Sequence, residues 1–497
     1  MSVRADDAAH AWGRFATTDA AAPLLDAALD TATGSGAEHV DVRLVEAEEH
    51  RAYLEGSADP DSRHERNCGI GVRVLVDGTW GFASLPVGDL GDARTAAHRA
   101  VAAARAAAGG ARVRLQPREA SSGSWSVPVE VDPFAVPVEQ KWALLQDVVR
   151  ATQVSPQVVH SVAGLNAKRQ HKHFADASGS RQDQHLMETG AMNQVVAAGG
   201  GTVQRRSYPN SFHGNTSAAG WEYVQELDLR THADRIGREA VELLTAPSAD
   251  PGRADLVIGP AQMALQIHES VGHALELDRI LGDEANFAGR SWVTPDVIGS
   301  LRYGSEAVTV VADPTRPGTR GSFGWDDEGT PAGRTVLIDQ GIVRDVLGSR
   351  DAAARAGRDS SGAARADGWA YTPVCFATNV YLEPGEGSLD ELLDRMGDGY
   401  LLDDNQSWSI DERRLNFQFG TEIAWEVRGG KRGRMLKGFS YGGVTPEFWG
   451  SVEAVAGPEE YRAFGMPCGK GEPKQWGFLG HGAAPTLVRD VAIGVAG

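Results

Sequence analysis

Residues 255–278 read DLVIGPAQMALQIHESVGHALELD. Asp255–Gly259 has the short apolar run of a buried strand, and Pro260 opens a stretch whose apolar side chains recur at helical spacing. Just upstream, Ala246-Pro247-Ser248 ends the helical pattern of Glu226–Leu244, so a new folding unit begins here. The expected division is two domains, 1–247 and 248–497, in line with a chain of 497 residues that is too long for one ordinary core.

Working outward, the N-terminal part reads as a sheet with helices. Pro23–Thr33 carries leucines at helical spacing, His39–Leu44 alternates like a strand, and GIGVRVLVDGTWGFAS (residues 69–84) is a hairpin turning at Asp77-Gly78. Arg94–Ala108, ended by Gly109-Gly110, and Val138–Thr152 read as helices, whereas Val158–Val203 returns to strand periodicity. The C-terminal part reads as strands and glycine turns, interrupted by the helix over 260–278 and by one more at Ser388–Met396. The expected class is α+β, with a strand-dominated C-terminal domain that begins with the histidine-bearing helix.

Within that helix, His268-Glu269-Ser270-Val271-Gly272-His273 places two histidines five apart. Residues four apart share a helix face and can grip one ion, as in H-E-x-x-H. At about 100° per residue the fifth position is turned about 140° away. One looped-in residue, a π-bulge, brings His273 back beside His268, and Gly272 lowers the steric obstacle to it. Far along the chain, Phe464–Gly471 (FGMPCGKG) reads as a tight loop around Cys468, with Lys470 close enough in sequence to favour the thiolate. Two imidazoles, a thiolate and a water make an open tetrahedral zinc site, one ion per chain. Glu269 beside a ligand is then placed to act as general base.

Composition narrows the classes. Lys+Arg number 48 against 67 Asp+Glu, and a net charge of −19 repels phosphate backbones, so no nucleic-acid partner is expected. The cysteines, Cys68, Cys375 and Cys468, are sparse and odd in number, which favours a reducing compartment over a disulfide framework. No long apolar run suggests a membrane span, and MSVRADDAAHAWGRF lacks the pattern of a secretory leader, so a cytoplasmic protein is expected.

The chain resembles the TldD/PmbA family of metallopeptidases, in its TldD-type, metal-bearing form. The resemblance rests on HESVGHALELD from His268, DDEGTPAG (326–333), SSGAARADGWAYTPVCFATNVYLEPG (360–385), MPCGKG (466–471) and the 69–84 hairpin. It implies that His268, His273 and Cys468 hold zinc and that Glu269 is catalytic. It also implies a dimer, with a PmbA/TldE-type subunit or with itself, enclosing a site that takes unfolded or flexible peptides for turnover or for maturation of peptide natural products. Ala274 and Leu277 stand where the family commonly has glycine, and Glu472-Pro473 interrupts the usual C-G-K-x-G-Q, which bears on substrate preference.

Around this set, Glu276 and Asp278 are placed to orient a ligand histidine. Gly469, Lys470 and the acidic turn Asp326-Asp327-Glu328 are candidates for lining the site. His171, His173 and His185 suit an exposed sheet face rather than a second metal centre, and His481 in Gly480-His481-Gly482 suits the surface. Competing readings are a blue-copper site with Met466 as axial ligand, a nucleobase deaminase, a scaffold subunit with a structural zinc, and an enzyme acting on a non-peptide amide. Glu269 has no role in the first, and the second needs a further cysteine after Cys468.

Overall fold

The computed structural model describes residues 13–494 apart from 16, 108, 110–111 and 212–213. The leader reading of the first 12 residues and the helix end at Ala108 and Gly110 lie outside the described residues.

The N-terminal part is built on β1 (His39–Glu55), β2 (Asp61–Val76), β3 (Thr79–Pro86), β4 (Ser122–Ser126), β5 (Val158–Asp176) and β6 (Arg181–Gly199). They form one sheet in the order β3-β2-β1-β5-β6-β4, antiparallel except for the parallel β4–β6 pair. The β2–β3 hairpin turns where the sequence indicates, with Asp77 at φ 50° and Gly78 at φ 74°, the left-handed pair that suits the twist of a two-residue turn. Helices α1 (Thr18–Gly34) and α2 (Leu90–Ala106) bury Leu24, Leu25, Ala96 and Ala100 against Val40, Val42, Val72 and Val74. The approach is close: a Cβ on Gly81 would stand 2.1 Å from the Ala100 carbonyl oxygen of α2. Helices α3 (Val138–Ala151), α4 (Trp221–Leu227) and α5 (Leu229–Leu243) cover the opposite ends of β1, β5 and β6. The single helix expected over Glu226–Leu244 is thus two, broken at Asp228, whose φ of 41° no α-helix accommodates.

In the C-terminal part, the strand Gly252–Ile258 lies between Gly399–Ile410, to which it is parallel, and Thr486–Ile493. That sheet continues through Ser440–Val444 to Asn416–Arg428, which pairs back onto Gly399–Ile410 and closes a ring of five strands. A second sheet carries Asn379–Leu382 beside Gln475–Ala483, itself hairpinned to Arg462–Lys470. Short helices at Leu277–Leu281, Arg350–Ala356 and Thr445–Gly450, beyond the one expected at Ser388–Met396, complete it. At five to seven residues they are too short for periodicity to reveal.

Helix α6 (Pro260–Ile267) is buried along its whole length but for Pro260, packed on Gly399–Ile410 and on the hairpin 462–483. Its start is fixed by Asp403, whose carboxylate accepts from Gln262 N at 3.2 Å. Asp403 occupies the space a Cβ on Gly259 would need, 2.4 Å from its carboxyl carbon. The strand and helix of residues 255–278 therefore put the histidines inside the molecule, against the cysteine-bearing hairpin.

Candidate metal centre

After Ile267 the helix widens into a π-turn over His268–Gly272, then tightens into a 3-10 turn over His273–Leu275. The His273 N–H donates to the His268 carbonyl, five residues back, and this extra residue per turn brings the two rings to one side. Gly272 has φ −52° and ψ −61°, ordinary right-handed helix, and a Cβ there meets nothing nearer than 3.6 Å. Its conformational freedom, invoked from the sequence, is therefore not what permits the bulge. The widened turn is held from outside instead: the Tyr303 hydroxyl donates to the Ser270 carbonyl, Ser291 Oγ donates to the Ala274 carbonyl at 2.6 Å, and Trp449 Nε1 donates to Ser270 Oγ at 2.9 Å. Carbonyls released from the regular ladder thus find side-chain donors.

The two rings and the distant cysteine converge. His273 Nε2 lies 3.1 Å from His268 Nε2 and 3.2 Å from Cys468 Sγ, and the three donor atoms fall within 4.8 Å of one another. Donors sharing a tetrahedral zinc at its usual bond lengths are about 3.3 Å (N to N) and about 3.6 Å (N to S) apart, so the set has the right scale. Cys468 does not lie in a loop, as its glycine and proline neighbours suggest. It sits in the strand Arg462–Lys470, opposite Gly477, and Gly469 faces Trp476, with a Cβ on it only 2.2 Å from Lys474 Cε.

The tautomers of both imidazoles follow from their outer partners. His481 is buried, not at the surface: β-pairing of Gln475–Ala483 with Asn379–Leu382 carries it inside. Its Nδ1–H has the Val380 carbonyl at 3.2 Å, so its Nε2 is the acceptor facing His268 Nδ1 at 2.7 Å. His268 Nδ1 then carries the proton, and its Nε2 is a bare lone pair. Likewise His273 Nδ1–H donates to Glu276 Oε2 at 3.1 Å, leaving Nε2 bare. Burial pushes His268 down to about 4 and His273 well below the usual imidazole range, so neither ring holds a second proton near neutrality. The two imidazole lone pairs face each other at 3.1 Å, a repulsion that a cation between them relieves, and Cys468 Sγ stands 3.2 Å from the His273 nitrogen. The residues fit a metal ion.

The carboxylates have defined tasks. Glu276 is fully buried; its Oε1 accepts from Ala377 N at 3.0 Å, and its Oε2 from His273 and from Lys470 Nζ at 2.9 Å. Lys470 also donates to Asp278 Oδ1 at 2.9 Å and to the Cys375 carbonyl at 2.6 Å. The lysine is thus committed to the carboxylates behind His273 rather than to the thiol. Burial, then the negative charges of Glu269 and Glu276, push the Cys468 thiol up to about 12, so a cation among the donors is what would hold a thiolate there. Glu269 Oε2 accepts from Arg414 Nη1 at 2.5 Å; burial raises its pKa while Arg414 and Arg279 oppose the rise. Nothing in the local sequence marks Arg414, which sits at φ 62° in the turn before Asn416–Arg428; the only hint is that a buried glutamate needs a cation.

Asp326, Asp327 and Glu328 are brought elsewhere. Asp326 accepts backbone N–H groups of Glu328, Thr330 and Ala364; Asp327 pairs with Lys172 at 3.1 Å; Glu328 pairs with Arg73 at 2.9 Å. This buried turn therefore bonds the C-terminal part to the N-terminal sheet.

The model of PmbA/TldA metallopeptidase domain 1 matches residues 40–108, and that of the PmbA/TldA metallopeptidase C-terminal domain matches residues 251–494. The chain belongs to the PmbA/TldD family. A metalloprotease of Methanothermobacter thermautotrophicus is 28% identical over 458 residues, 92% of this chain and 95% of its own length. In fold, TldE from Thermococcus kodakarensis is similar with a TM-score of 0.70 at 16% identity, covering 95% of this chain and 99% of that one. A Thermotoga maritima protein put forward as a modulator of a DNA gyrase is similar with a TM-score of 0.76 at 15% identity, with the same coverage.

Proposed function

We propose that this chain is a zinc peptidase of the metal-bearing TldD type, in which His268, His273 and Cys468 hold one zinc and Glu269 is the general base. The observation that carries this reading is the convergence of three donor atoms within 4.8 Å, with both imidazole lone pairs turned toward each other by their outer hydrogen bonds. When bound there, zinc polarises the scissile carbonyl and makes a water more acidic. Glu269, its pKa raised by burial and one oxygen oriented by Arg414, accepts a proton from the attacking water and returns it to the departing amine. Glu276 and His481 keep the two rings in the tautomers that present Nε2. A closed structural zinc would need a fourth protein donor, whereas among the described residues three converge.

Unfolded or flexible peptides are the proposed substrates. A cleft of about 870 Å³ runs from Tyr53 and Lys168 past Trp369, Trp476 and Phe478 to Pro467, the neighbour of Cys468. Its size suits an extended segment rather than a folded domain. The protein works as a dimer in the cytoplasm, with a TldE-type subunit or a second copy, as the family resemblance implies. Its three cysteines form no disulfide, and no described helix is long and apolar enough to cross a membrane. Two domains meeting near Pro247 fit the separate N-terminal and C-terminal cores.

The test is zinc content and cleavage of an unstructured peptide, for the wild type beside Cys468→Ser and Glu269→Gln. Cys468→Ser should lose the zinc of this centre, and Glu269→Gln should keep it while losing about 10²–10⁴-fold in kcat. Undiminished turnover in Glu269→Gln, or an equal zinc load in Cys468→Ser, would refute the assignment.

A further inference from the structure

A second group of ligating side chains lies on the N-terminal sheet. His171 and His173 occupy alternate positions of β5, and Asp183 and His185 alternate positions of β6, so each pair points to one side of the sheet. In the ladder His171 stands opposite His185, and His173 opposite Asp183. The four therefore form a square with the Asp183 carboxylate as its common neighbour. His171 Nε2 is 2.6 Å and His185 Nε2 3.5 Å from Asp183 Oδ1, while His173 Nδ1 is 3.7 Å from Oδ2. The sequence reading of an exposed histidine face does not hold: His171 is 0% and His173 2% exposed, beneath the segment that leads into α1.

Hydrogen bonding leaves two buried ring nitrogens of this square without a partner. His173 Nε2 has the Phe15 carbonyl at 2.9 Å, so it carries the proton, and a neutral ring presents Nδ1 as a lone pair. That nitrogen is buried without a hydrogen-bond partner and faces a carboxylate oxygen, two electron-rich groups with nothing positive between them. His171 Nδ1 is likewise buried without a partner.

We propose that His171, His173 and Asp183, with His185 beside them, bind a divalent transition metal such as zinc. Imidazole nitrogens with a single carboxylate suit zinc, nickel or cobalt, whereas calcium and magnesium require oxygen ligands. Asp183 and His185 are 14% and 16% exposed, which gives the ion an entry path and room for water on that side. The site also ties down the start of α1. Phe15 accepts from His173, and Thr18 Oγ1 donates to Asp183 Oδ2 at 2.7 Å, so an ion here fastens the segment before α1 to the sheet. This proposal does not depend on the function of the His268 centre.

The experiment removes that centre first. The full chain carrying His268→Ala and His273→Ala is loaded with zinc or cobalt(II), dialysed and assayed for bound metal, with circular dichroism to confirm folding. One ion per chain is expected to remain, and its cobalt spectrum should show d–d bands without the thiolate-to-metal charge-transfer band that a cysteine ligand produces. Adding Asp183→Asn, which keeps the shape of the side chain, or His171→Ala should abolish that binding. In the otherwise wild-type chain loaded with cobalt(II), Asp183→Asn should remove one of two ions and leave the thiolate band of the other. A folded His268→Ala/His273→Ala chain that retains no metal would overturn the proposal, as would retained metal indifferent to both Asp183→Asn and His171→Ala.

Discussion

Replacing Lys470 by methionine keeps the length of the side chain and removes a cation that is fully buried beside the metal centre. In the native structure its ammonium donates to Glu276 Oε2 and Asp278 Oδ1, both at 2.9 Å, and to the Cys375 carbonyl at 2.6 Å. Removing one partner of a buried ion pair costs about 3–5 kcal/mol, because the remaining charge has neither water nor counterion. Arg279 Nε, 3.4 Å from Glu276 Oε2, compensates only part of the loss. For a unit of this size such a loss lowers Tm by roughly 6–20 °C. The effect depends on pH in a direction the structure sets. Burial pushes Asp278 up to about 6, and Lys470 opposes that rise. A carboxyl with a folded pKa above its unfolded value near 3.9 contributes stability below that unfolded value, and loses it as pH rises through the folded one. Without Lys470 the folded value moves higher still, so Asp278 can take a proton at pH 5 but pays the full charge burial at pH 8. Thermal and urea melts of the metal-stripped wild type and Lys470→Met should therefore diverge more at pH 8 than at pH 5. Adding Asp278→Asn should recover part of the loss at pH 8. Equal losses at both pH values, or a Tm within about 1 °C of wild type at pH 8, would refute the reasoning.

Tyr303→Phe leaves the Ser270 carbonyl of the π-turn without its donor and should cost about 1–3 kcal/mol in urea unfolding. His481→Leu deprives His268 Nδ1–H of its acceptor; chelator competition should report zinc affinity reduced about 10–100-fold, and unchanged affinity would show that the tautomer is set otherwise. Gly81→Ala drives a methyl to 2.1 Å from the Ala100 carbonyl oxygen and 2.6 Å from Ala104 N, both helix backbone. It should destabilise the N-terminal part by about 1–3 kcal/mol, seen as an earlier unfolding transition with zinc content unaltered.

Local chemistry is what the sequence determined by itself. The Asp77-Gly78 hairpin, the strand-to-helix step at Gly259-Pro260 and the helix at Ser388–Met396 follow from turn residues, caps and periodicity that act within a few positions. The five-residue spacing of His268 and His273 indicated that a π-turn is needed if both rings share one ion, but not that they share one; the π-turn over His268–Gly272 is in the structure. Tertiary structure decided what those residues meet. Cys468 reaches the histidines because Arg462–Lys470 is a strand rather than a loop, and pairing across the sheet is set by partners distant in sequence. The same pairing buries His481 behind His268 and turns Lys470 toward Glu276 and Asp278, while the turn between Gly399–Ile410 and Asn416–Arg428 brings Arg414 to Glu269. On the N-terminal sheet, the register of β5 against β6 sets Asp183 across from His173, and the segment before α1 buries the group. Burial and register are properties of contacts between distant segments, and a side chain's identity does not encode which of those contacts it will make.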